Sequence, residues 1–231
     1  IRGEEWIPST PKHILLYRYF GWTPPIWAHL PLMLNPDRSK LSKRQGDVAV
    51  EDYRAKGYFP EALVNFIAFL AWNPGDTREI FSLEELVQEF TLERVGKSGA
   101  VFNLEKLHWL NQQYLLKMPT NALVKKLAPL LAERGLTGFS DAYLGQVVEL
   151  LKDRVTFVAD YLQHGAEFFA APAVYDEAVK NKCWKPETPV LVRELVQRVC
   201  ALPELTAVAV EQTLRGMAVE KQVGVGALML P

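Results

Sequence analysis

Cysteine is almost missing from this sequence, which contains only Cys183 and Cys200 among its 231 residues. Two thiols can build neither a disulfide framework nor a four-ligand zinc site, so we expect no bound zinc and no other resident metal. Because reducing compartments rarely keep disulfides, two free thiols favour a cytoplasmic protein.

A long apolar run and an excess of charge of one sign are missing too. No apolar stretch approaches the roughly 18 residues of a membrane-spanning helix, and no charged-then-apolar leader opens the chain. We therefore expect neither membrane insertion nor a secretory signal. The 26 basic and 27 acidic residues leave a net charge of -1. This balance argues against a surface coated with phosphate-binding charge, but it does not exclude RNA binding through a local basic face.

The patterns that are present predict a mainly α protein. In residues 118–231, apolar positions recur at the i, i+3, i+4 spacing of helices, most clearly at Leu144, Val147, Val148, Leu151, Val155 and Val158. Helix caps are expected at Thr120 or Asn121, at Ser140 or Asp141, and at Thr206, and Gly135 is expected to end a helix. Four or more such helices without a clear strand indicate an all-α module.

The preceding residues 48–117 are predicted to be helical with tight connections. The segment Glu61–Trp72 is apolar nearly all round, which is typical of a buried helix. Ser82 and Glu85 have the spacing of a capping box, and Asn111 lies beside a packed apolar face. Nearer the N-terminus, Thr10-Pro11 predicts the start of a helix, and residues 26–34 are expected to be extended.

A basic run, Lys40-Leu41-Ser42-Lys43-Arg44, follows a turn over residues 35–39 and precedes Gly46. Three cations in five residues suit phosphate, because lysine ammonium groups act as mobile charges and arginine grips oxygens as a fork. Taken alone, the basic run could equally be a solvated surface loop.

The basic run has neighbours that make a more specific pattern. Residues 2–6 read Arg-Gly-Glu-Glu-Trp, residues 10–13 read Thr-Pro-Lys-His, and residues 101–107 read Val-Phe-Asn-Leu-Glu-Lys-Leu. Together they resemble glutamyl-tRNA synthetase of the bacterial type, a class I aminoacyl-tRNA synthetase. The basic run resembles that family's Lys-Met-Ser-Lys-Ser signature, with Leu41 in place of Met and Arg44 in place of the last Ser. The resemblance extends over essentially the whole chain.

The resemblance implies three regions. Residues 1–47 would be the C-terminal remnant of a class I catalytic domain, residues 48–117 a helical stem-contact domain, and residues 118–231 an all-α anticodon-binding array. The family's other signature, His-Ile-Gly-His, is absent from the sequence. We therefore expect a piece of a longer protein that lacks the N-terminal Rossmann half, has an incomplete second helical subdomain and is inactive by itself.

The resemblance also implies an ATP site, with ATP entering as its Mg²⁺ complex. Lys43 would be the central lysine that meets the phosphates, and Lys40 would support the same loop. Leu32 and Met33 would flank the adenine, with their apolar bodies and main-chain groups reading its edge. Glu5 would line the ATP pocket.

Two further roles follow from the same resemblance. Arg2 would pair with the side-chain carboxylate of L-glutamate, and a bidentate fork would reject uncharged glutamine. Arg154, expected at a helix edge, would face the third anticodon base of tRNA(Glu), although the alternative of an ordinary surface arginine stays open. Bacterial enzymes that charge only glutamate tRNA carry arginine at that position, so we expect a discriminating enzyme. The whole protein is expected to be a monomer.

Two other functions remain as alternatives. The first is a non-catalytic RNA-binding helical module. The second is a glutaminyl enzyme of the same subclass, which the helical C-terminal half disfavours because that family carries β-barrels there.

Overall fold

The structure is a computed structural model that describes residues 1–41, 49–175 and 177–229. The chain divides into a first unit, Ile1–Ala170, and a second unit, Ala171–Pro231. Ser42, Lys43 and Arg44 of the basic run lie outside the described residues.

The strands of the first unit are short and pair across long stretches of sequence. Strand β1 (Arg2–Gly3) lies parallel to β2 (His29–Leu30), and β3 (Met33–Leu34) lies parallel to β4 (Ala100–Val101). Strand β4 corrects the expectation that residues 48–117 contain helices only. Two residues are too few to produce an alternating pattern in the sequence, so this pairing is a tertiary feature.

Helices make up most of the first unit and confirm the mainly α fold. They are α1 (Thr10–Tyr19), α2 (Val50–Ala55), α3 (Pro60–Phe69), α4 (Leu83–Glu89), α5 (Leu104–Lys117), α6 (Thr120–Glu133), α7 (Asp141–Leu151), α8 (Tyr161–His164) and α9 (Ala166–Phe169). A 3₁₀ helix of six residues covers Glu4–Ser9, and single 3₁₀ turns cover Leu92–Arg94, Lys152–Arg154 and Val158–Asp160. We find no helix in residues 1–41, 49–175 and 177–229 that is long and apolar enough to cross a bilayer.

The second unit contains the helices α10 (Glu177–Cys183), α11 (Thr188–Cys200), α12 (Ala207–Glu220) and α13 (Gly226–Met229). Met217, Ala218 and Leu228 form its small buried core. Arg198 on α11 bonds to Glu194 on the same helix at 2.5 Å and to Glu220 on α12 at 2.8 Å. The ion pair between Arg198 and Glu220 joins the two longest helices of the unit.

Most of the predicted helix signals are confirmed. The Ser82 hydroxyl accepts from the Glu85 amide at 3.1 Å while the Glu85 carboxylate accepts from the Ser82 amide at 2.7 Å, which completes the capping box. Ser140 caps α7 and Thr206 caps α12 through their side chains. Gly135 ends α6 with a φ of 72°, a conformation that glycine adopts without steric cost.

Two predictions about helices are wrong. Neither Thr120 nor Asn121 caps α6, because the helix already includes both and its N-cap position is Pro119. Helix α3 is not buried all round, since Val64 is 43% and Ile67 50% exposed. Its buried face holds Ala62, Leu63, Asn65 and Phe66. The core of the first unit thus lies on one side of α3. Because apolar residues occupy both sides of this helix, its sequence does not reveal which side is buried.

The main core of the first unit takes residues from α2 to α9 with the exception of α4, whose Leu86 packs with Trp72 and Phe81 in a separate cluster. The predicted apolar stripe is confirmed, because Leu144, Val147, Val148, Leu151, Val155 and Val158 are all buried in it. Helix α7 ends at Leu151, however, and the last two members of the stripe reach the core only after the 3₁₀ turn Lys152–Arg154.

A buried asparagine on α3 organises the next part of the chain. The Asn65 side chain is fully buried; it donates to the Glu79 carbonyl at 2.9 Å and accepts from the Phe81 amide at 2.7 Å. The Tyr114 hydroxyl donates to the Phe81 carbonyl at 2.6 Å and lies 3.0 Å from Asn65 Oδ1. Burial raises the pKa of Tyr114 to about 12, so this hydroxyl keeps its proton at neutral pH.

We predict that Asn65→Ala lowers the free energy of unfolding by about 2–4 kcal/mol, because it leaves the buried Phe81 amide and the part-buried Glu79 carbonyl without this partner. Urea unfolding of the chain, followed by circular dichroism, measures this loss. The matched control is Asn121→Ala, which removes an exposed asparagine without a side-chain hydrogen bond in the described structure and should change stability by less than about 0.5 kcal/mol. Equal stabilities of the two variants would contradict the assignment.

Candidate functional site

The turn before the basic run is confirmed, and it fixes the start of that run. The Asn35 amide donates to the Ser39 carbonyl at 2.8 Å, and Arg38 has a left-handed φ of 65°. Lys40 then forms an antiparallel bridge with Leu34. Lys40 is exposed, so the first cation of the basic run is presented to solvent from a residue that an isolated β-bridge holds in place.

Two hydrogen bonds stabilise the turn from inside. The Ser39 amide donates to the Asp37 carboxylate at 2.9 Å, and the Asn35 side-chain amide donates to the Ser39 hydroxyl at 2.9 Å. Hydrogen bonds from the Ser39 side chain and backbone lower the pKa of Asp37. The Asp37 carboxylate is therefore ionised at neutral pH, where it accepts the hydrogen bond from the Ser39 amide.

The segment proposed to flank adenine is held on both sides. The Leu32 amide donates to Glu4 Oε1 at 3.1 Å, and the Leu32 carbonyl accepts from the Ala100 amide at 2.9 Å. The Met33 carbonyl accepts from the Leu41 amide at 3.0 Å. Both main-chain groups of Leu32 are thus already bonded within the protein, and the Met33 side chain is the exposed part of the segment.

Glu4 is a residue whose role the sequence did not reveal. Of the two adjacent glutamates, Glu5 was expected to line the ATP pocket, but it is Glu4 that bonds to the Leu32 amide. Glu5 is exposed, and its carboxylate folds back against Gly3, where a Cβ atom would lie 2.8 Å from Glu5 Cδ. A glycine at position 3 therefore leaves the room that the folded Glu5 side chain occupies.

Arg2 is the first residue of β1. Its guanidinium carbon lies 4.1 Å from the centre of the Trp6 ring, which is a cation–π contact. It makes no ion pair with a carboxylate in the described part of the chain, and it is exposed. A cavity of about 360 Å³ opens beside it. The other lining residues are His13, Leu16, Tyr17, Phe20, Trp22, Pro25 and Trp27. The guanidinium of Arg2 can pair with one carboxylate group of a ligand, and the mostly aromatic walls can pack against the ligand's apolar atoms.

Strand pairing, a hydrogen bond and a β-bridge link the segments that carry Arg2, Leu32 and Lys40. The β1–β2 pairing joins Arg2 to His29, three residues before Leu32. Glu4 joins the same region to Leu32, and the bridge from Leu34 joins it to Lys40. Lys43, the central residue of the predicted ATP site, lies in the part of the basic run that the structure does not describe.

Arg154 lies elsewhere in the first unit, in the 3₁₀ turn that follows α7 rather than at the expected helix edge. It is exposed and, among the described residues, it has no hydrogen bond or ion pair. Its neighbour Lys152 donates to the Met118 carbonyl at 2.9 Å and lies 3.9 Å from Glu149. The turn therefore contains one bonded cation and one cation that is available to a ligand.

Asn111 was expected beside a packed face, but it is completely buried. Its Oδ1 accepts from the Phe59 amide at 2.8 Å, and its Nδ2 donates to the Thr156 carbonyl at 2.7 Å. A side chain with both functions satisfied inside the protein cannot contact RNA. We therefore assign Asn111 to the scaffold of the first unit.

Within the described ranges, no three His, Cys, Asp or Glu side chains cluster as metal ligands would, and Cys183 and Cys200 are free thiols. The absence of bound zinc in the protein stays a prediction.

Comparison with known families assigns most of the chain. Residues 1–109 match the catalytic domain of the tRNA synthetases class I (E and Q), and residues 122–231 match an anticodon binding domain. The chain thus combines a class I tRNA synthetase catalytic-domain match with an anticodon-binding-domain match. The division into regions 1–47, 48–117 and 118–231 stays a prediction.

Individual relatives narrow the class. The chain is 49% identical over 242 aligned positions to a glutamate–tRNA ligase of Chlorobium phaeobacteroides, covering 100% of this chain and 48% of the relative. It is 50% identical to the glutamate–tRNA ligase of Chloroherpeton thalassium with the same coverage. The crystal structure of a glutamate tRNA ligase from Elizabethkingia meningosepticum, in complex with its amino acid, superposes with a TM-score of 0.90 at 39% identity, over 100% of this chain and 49% of that one. The chain belongs to the glutamate–tRNA ligase family, and it spans about half the length of the curated relatives it matches.

Proposed function

We propose that the whole protein is a glutamate–tRNA ligase, which activates L-glutamate with ATP and transfers it to tRNA(Glu). The observation that carries this proposal is the 49% identity to a glutamate–tRNA ligase over the full length of this chain. Arg2 also supports it, because this residue is exposed beside a cavity and makes no ion pair within the described residues, and a charged amino-acid substrate needs such a partner. The chain contributes the basic run and the regions that contact tRNA.

Arg2 is the proposed determinant of the amino acid. Its guanidinium would form two parallel hydrogen bonds with the side-chain carboxylate of glutamate. Glutamine would leave that guanidinium without a charged partner, and sites that depend on a polar partner strongly reject analogues that lack it. The contact with Trp6 would restrict the rotation of the arginine side chain and orient the fork before glutamate binds.

The basic run is the proposed phosphate-binding element. In activation, an oxygen of the α-carboxylate of glutamate bonds to the α-phosphorus of ATP while the bond from that phosphorus to pyrophosphate breaks, so negative charge develops on the leaving phosphates. ATP would enter as its Mg²⁺ complex. Lys43 would stabilise the developing charge, and Lys40, anchored by its bridge to Leu34, would support the loop at its start. Met33 would contact the adenine, and Glu5 would line the same pocket.

The remaining parts of the proposal concern the partners and the place of action. The anticodon domain match at residues 122–231 supports tRNA binding, with Arg154 as the residue that reads the third anticodon base. The monomeric state and the cytoplasmic location stay predictions. A purely RNA-binding module is not favoured, because residues 1–109 match a catalytic domain.

The proposal is tested by pyrophosphate exchange in the whole protein, with ATP, tRNA(Glu) and either glutamate or glutamine. We predict glutamate-dependent exchange whose turnover Lys43→Ala lowers by about 10²–10³-fold, with a much smaller rise in the KM for glutamate, since one donor to transition-state charge has an effect of this size. Lys125→Ala, which removes an exposed lysine on α6, is the control and should keep the turnover.

Two results would contradict this proposal. Exchange that depends on glutamine as strongly as on glutamate would refute the amino-acid assignment. A Lys43→Ala enzyme with unchanged turnover and only a raised KM for glutamate would refute the role of Lys43.

The second prediction concerns the choice of tRNA. In the whole protein, Arg154→Gln should narrow the ratio of kcat/KM between a tRNA whose anticodon ends in C and one whose anticodon ends in G. A good base contact discriminates by roughly 1–3 kcal/mol, so the ratio should fall about tenfold. Arg134→Gln, which changes an exposed arginine at the end of α6, is the matched control. A folded Arg154→Gln enzyme that keeps the wild-type ratio would show that Arg154 does not read the base.

A further inference from the structure

Two adjacent side chains of α5 bond to the segment that carries Arg154. Gln112 Nε2 donates to the Asp153 carbonyl at 3.2 Å, and Asn111 Nδ2 donates to the Thr156 carbonyl at 2.7 Å. One bond lies immediately before Arg154 in the chain and the other lies two residues after it. We call residues 152–156 the Arg154 segment.

The two bonds differ in what they contribute. Asn111 is fully buried and also bonds to Phe59, so it is part of the core. Gln112 is only partly buried, and its bond to Asp153 lies at the surface. Water can replace a lost partner at an exposed carbonyl, so removal of the Gln112 amide should have a small effect on stability.

The Gln112 bond has a specific geometric consequence for Arg154. The Asp153 carbonyl belongs to the same planar peptide unit as the Arg154 amide. Fixing that carbonyl fixes the peptide plane that leads into the Arg154 Cα atom, and it thereby restricts the backbone conformations from which the Arg154 side chain can extend. Lys152, on the other side, is already bonded to Met118, so the segment is held while Arg154 itself stays available.

We propose that Gln112 is a positioning residue for base recognition: it holds the Arg154 segment so that the guanidinium meets the third anticodon base in one orientation. The inference rests on the proposed function. Discrimination between bases needs hydrogen-bond donors aligned with particular acceptors. An Arg154 guanidinium that adopts several orientations would lose this alignment for every base. The loss of Gln112 should therefore reduce discrimination more than it reduces tRNA binding.

The test uses Gln112→Met in the whole protein, because methionine keeps the length of the side chain and removes the donor. Gln113→Met is the matched control. Gln113 lies on the same helix, is partly buried like Gln112, and has no side-chain hydrogen bond in the part of the chain that the structure describes. For each enzyme, kcat/KM is measured with two tRNAs that differ only in C or G at the third anticodon base. Gln112→Ala is measured in parallel as a second variant without the donor.

We expect Gln112→Met to lower the C-over-G ratio about threefold to tenfold, the size of one net hydrogen bond. Gln113→Met should keep the ratio. In the Arg154→Gln background, Gln112→Met should lower the ratio no further, because it acts through Arg154. A merely structural defect would instead lower kcat/KM for both tRNAs equally and leave their ratio unchanged.

Two outcomes overturn the inference while the proposed function stands. One is an unchanged ratio in both Gln112 variants, and the other is an equal loss with and without Arg154. Failure of the proposed function looks different, because the wild-type enzyme itself would then fail to charge tRNA with glutamate or would show no C-over-G preference. That result would overturn the role of Gln112 as well.

Discussion

The buried amide of Asn111 is the constraint on which the first unit depends. Its oxygen accepts from the Phe59 amide just before α3, and its nitrogen donates to the Thr156 carbonyl beyond α7. The partners lie 52 and 45 residues away in sequence, so one side chain on α5 ties together segments that no local interaction could join. The side chain is fully buried and its bond to the Phe59 amide is buried too, so the loss of that bond leaves a buried polar group unsatisfied.

Helix α5 also connects the two parts of the candidate site. Just before it, β4 pairs with β3, and β3 in turn bonds to the first residues of the basic run through the Leu41 amide. Near its middle, Asn111 and Gln112 hold the Arg154 segment. The start of the basic run and the segment that carries Arg154 are therefore both bonded to α5 or to the strand pair that leads into it.

Features with a local cause were predictable from the sequence. The Ser82 capping box, the Ser140 and Thr206 caps and the end of α6 at Gly135 all depend on residues within one or two turns of a helix. The buried stripe from Leu144 to Val158 follows from helical spacing as far as Leu151. Beyond that residue, a 3₁₀ turn keeps Val155 in the core and moves Arg154 off the helix, which spacing alone does not show.

Features that depend on distant partners could not be predicted. A polar residue such as Asn65 or Asn111 is expected at the surface, and only its tertiary partners explain its burial. The pairing of β3 with β4 joins residues 33 and 100, and two-residue strands leave no periodic pattern. Within the candidate site, the roles of Arg2, Lys43 and Arg154 came from the family resemblance. Glu4 was missed because nothing in the sequence separates it from Glu5.

The central claim is that Asn111 joins the start of α3 and the Arg154 segment into one body, and hydrogen exchange tests it most directly. The amides to follow in wild type and in Asn111→Ala are that of Phe59, which donates to Asn111, and those of Thr156 and Phe157, which donate to Asp160. If Asn111 is the common tie, its removal accelerates exchange at both places, while the amides of α11 and α12 in the second unit keep their rates. Faster exchange at Phe59 with unchanged rates at Thr156 and Phe157, or the reverse, would contradict the claim.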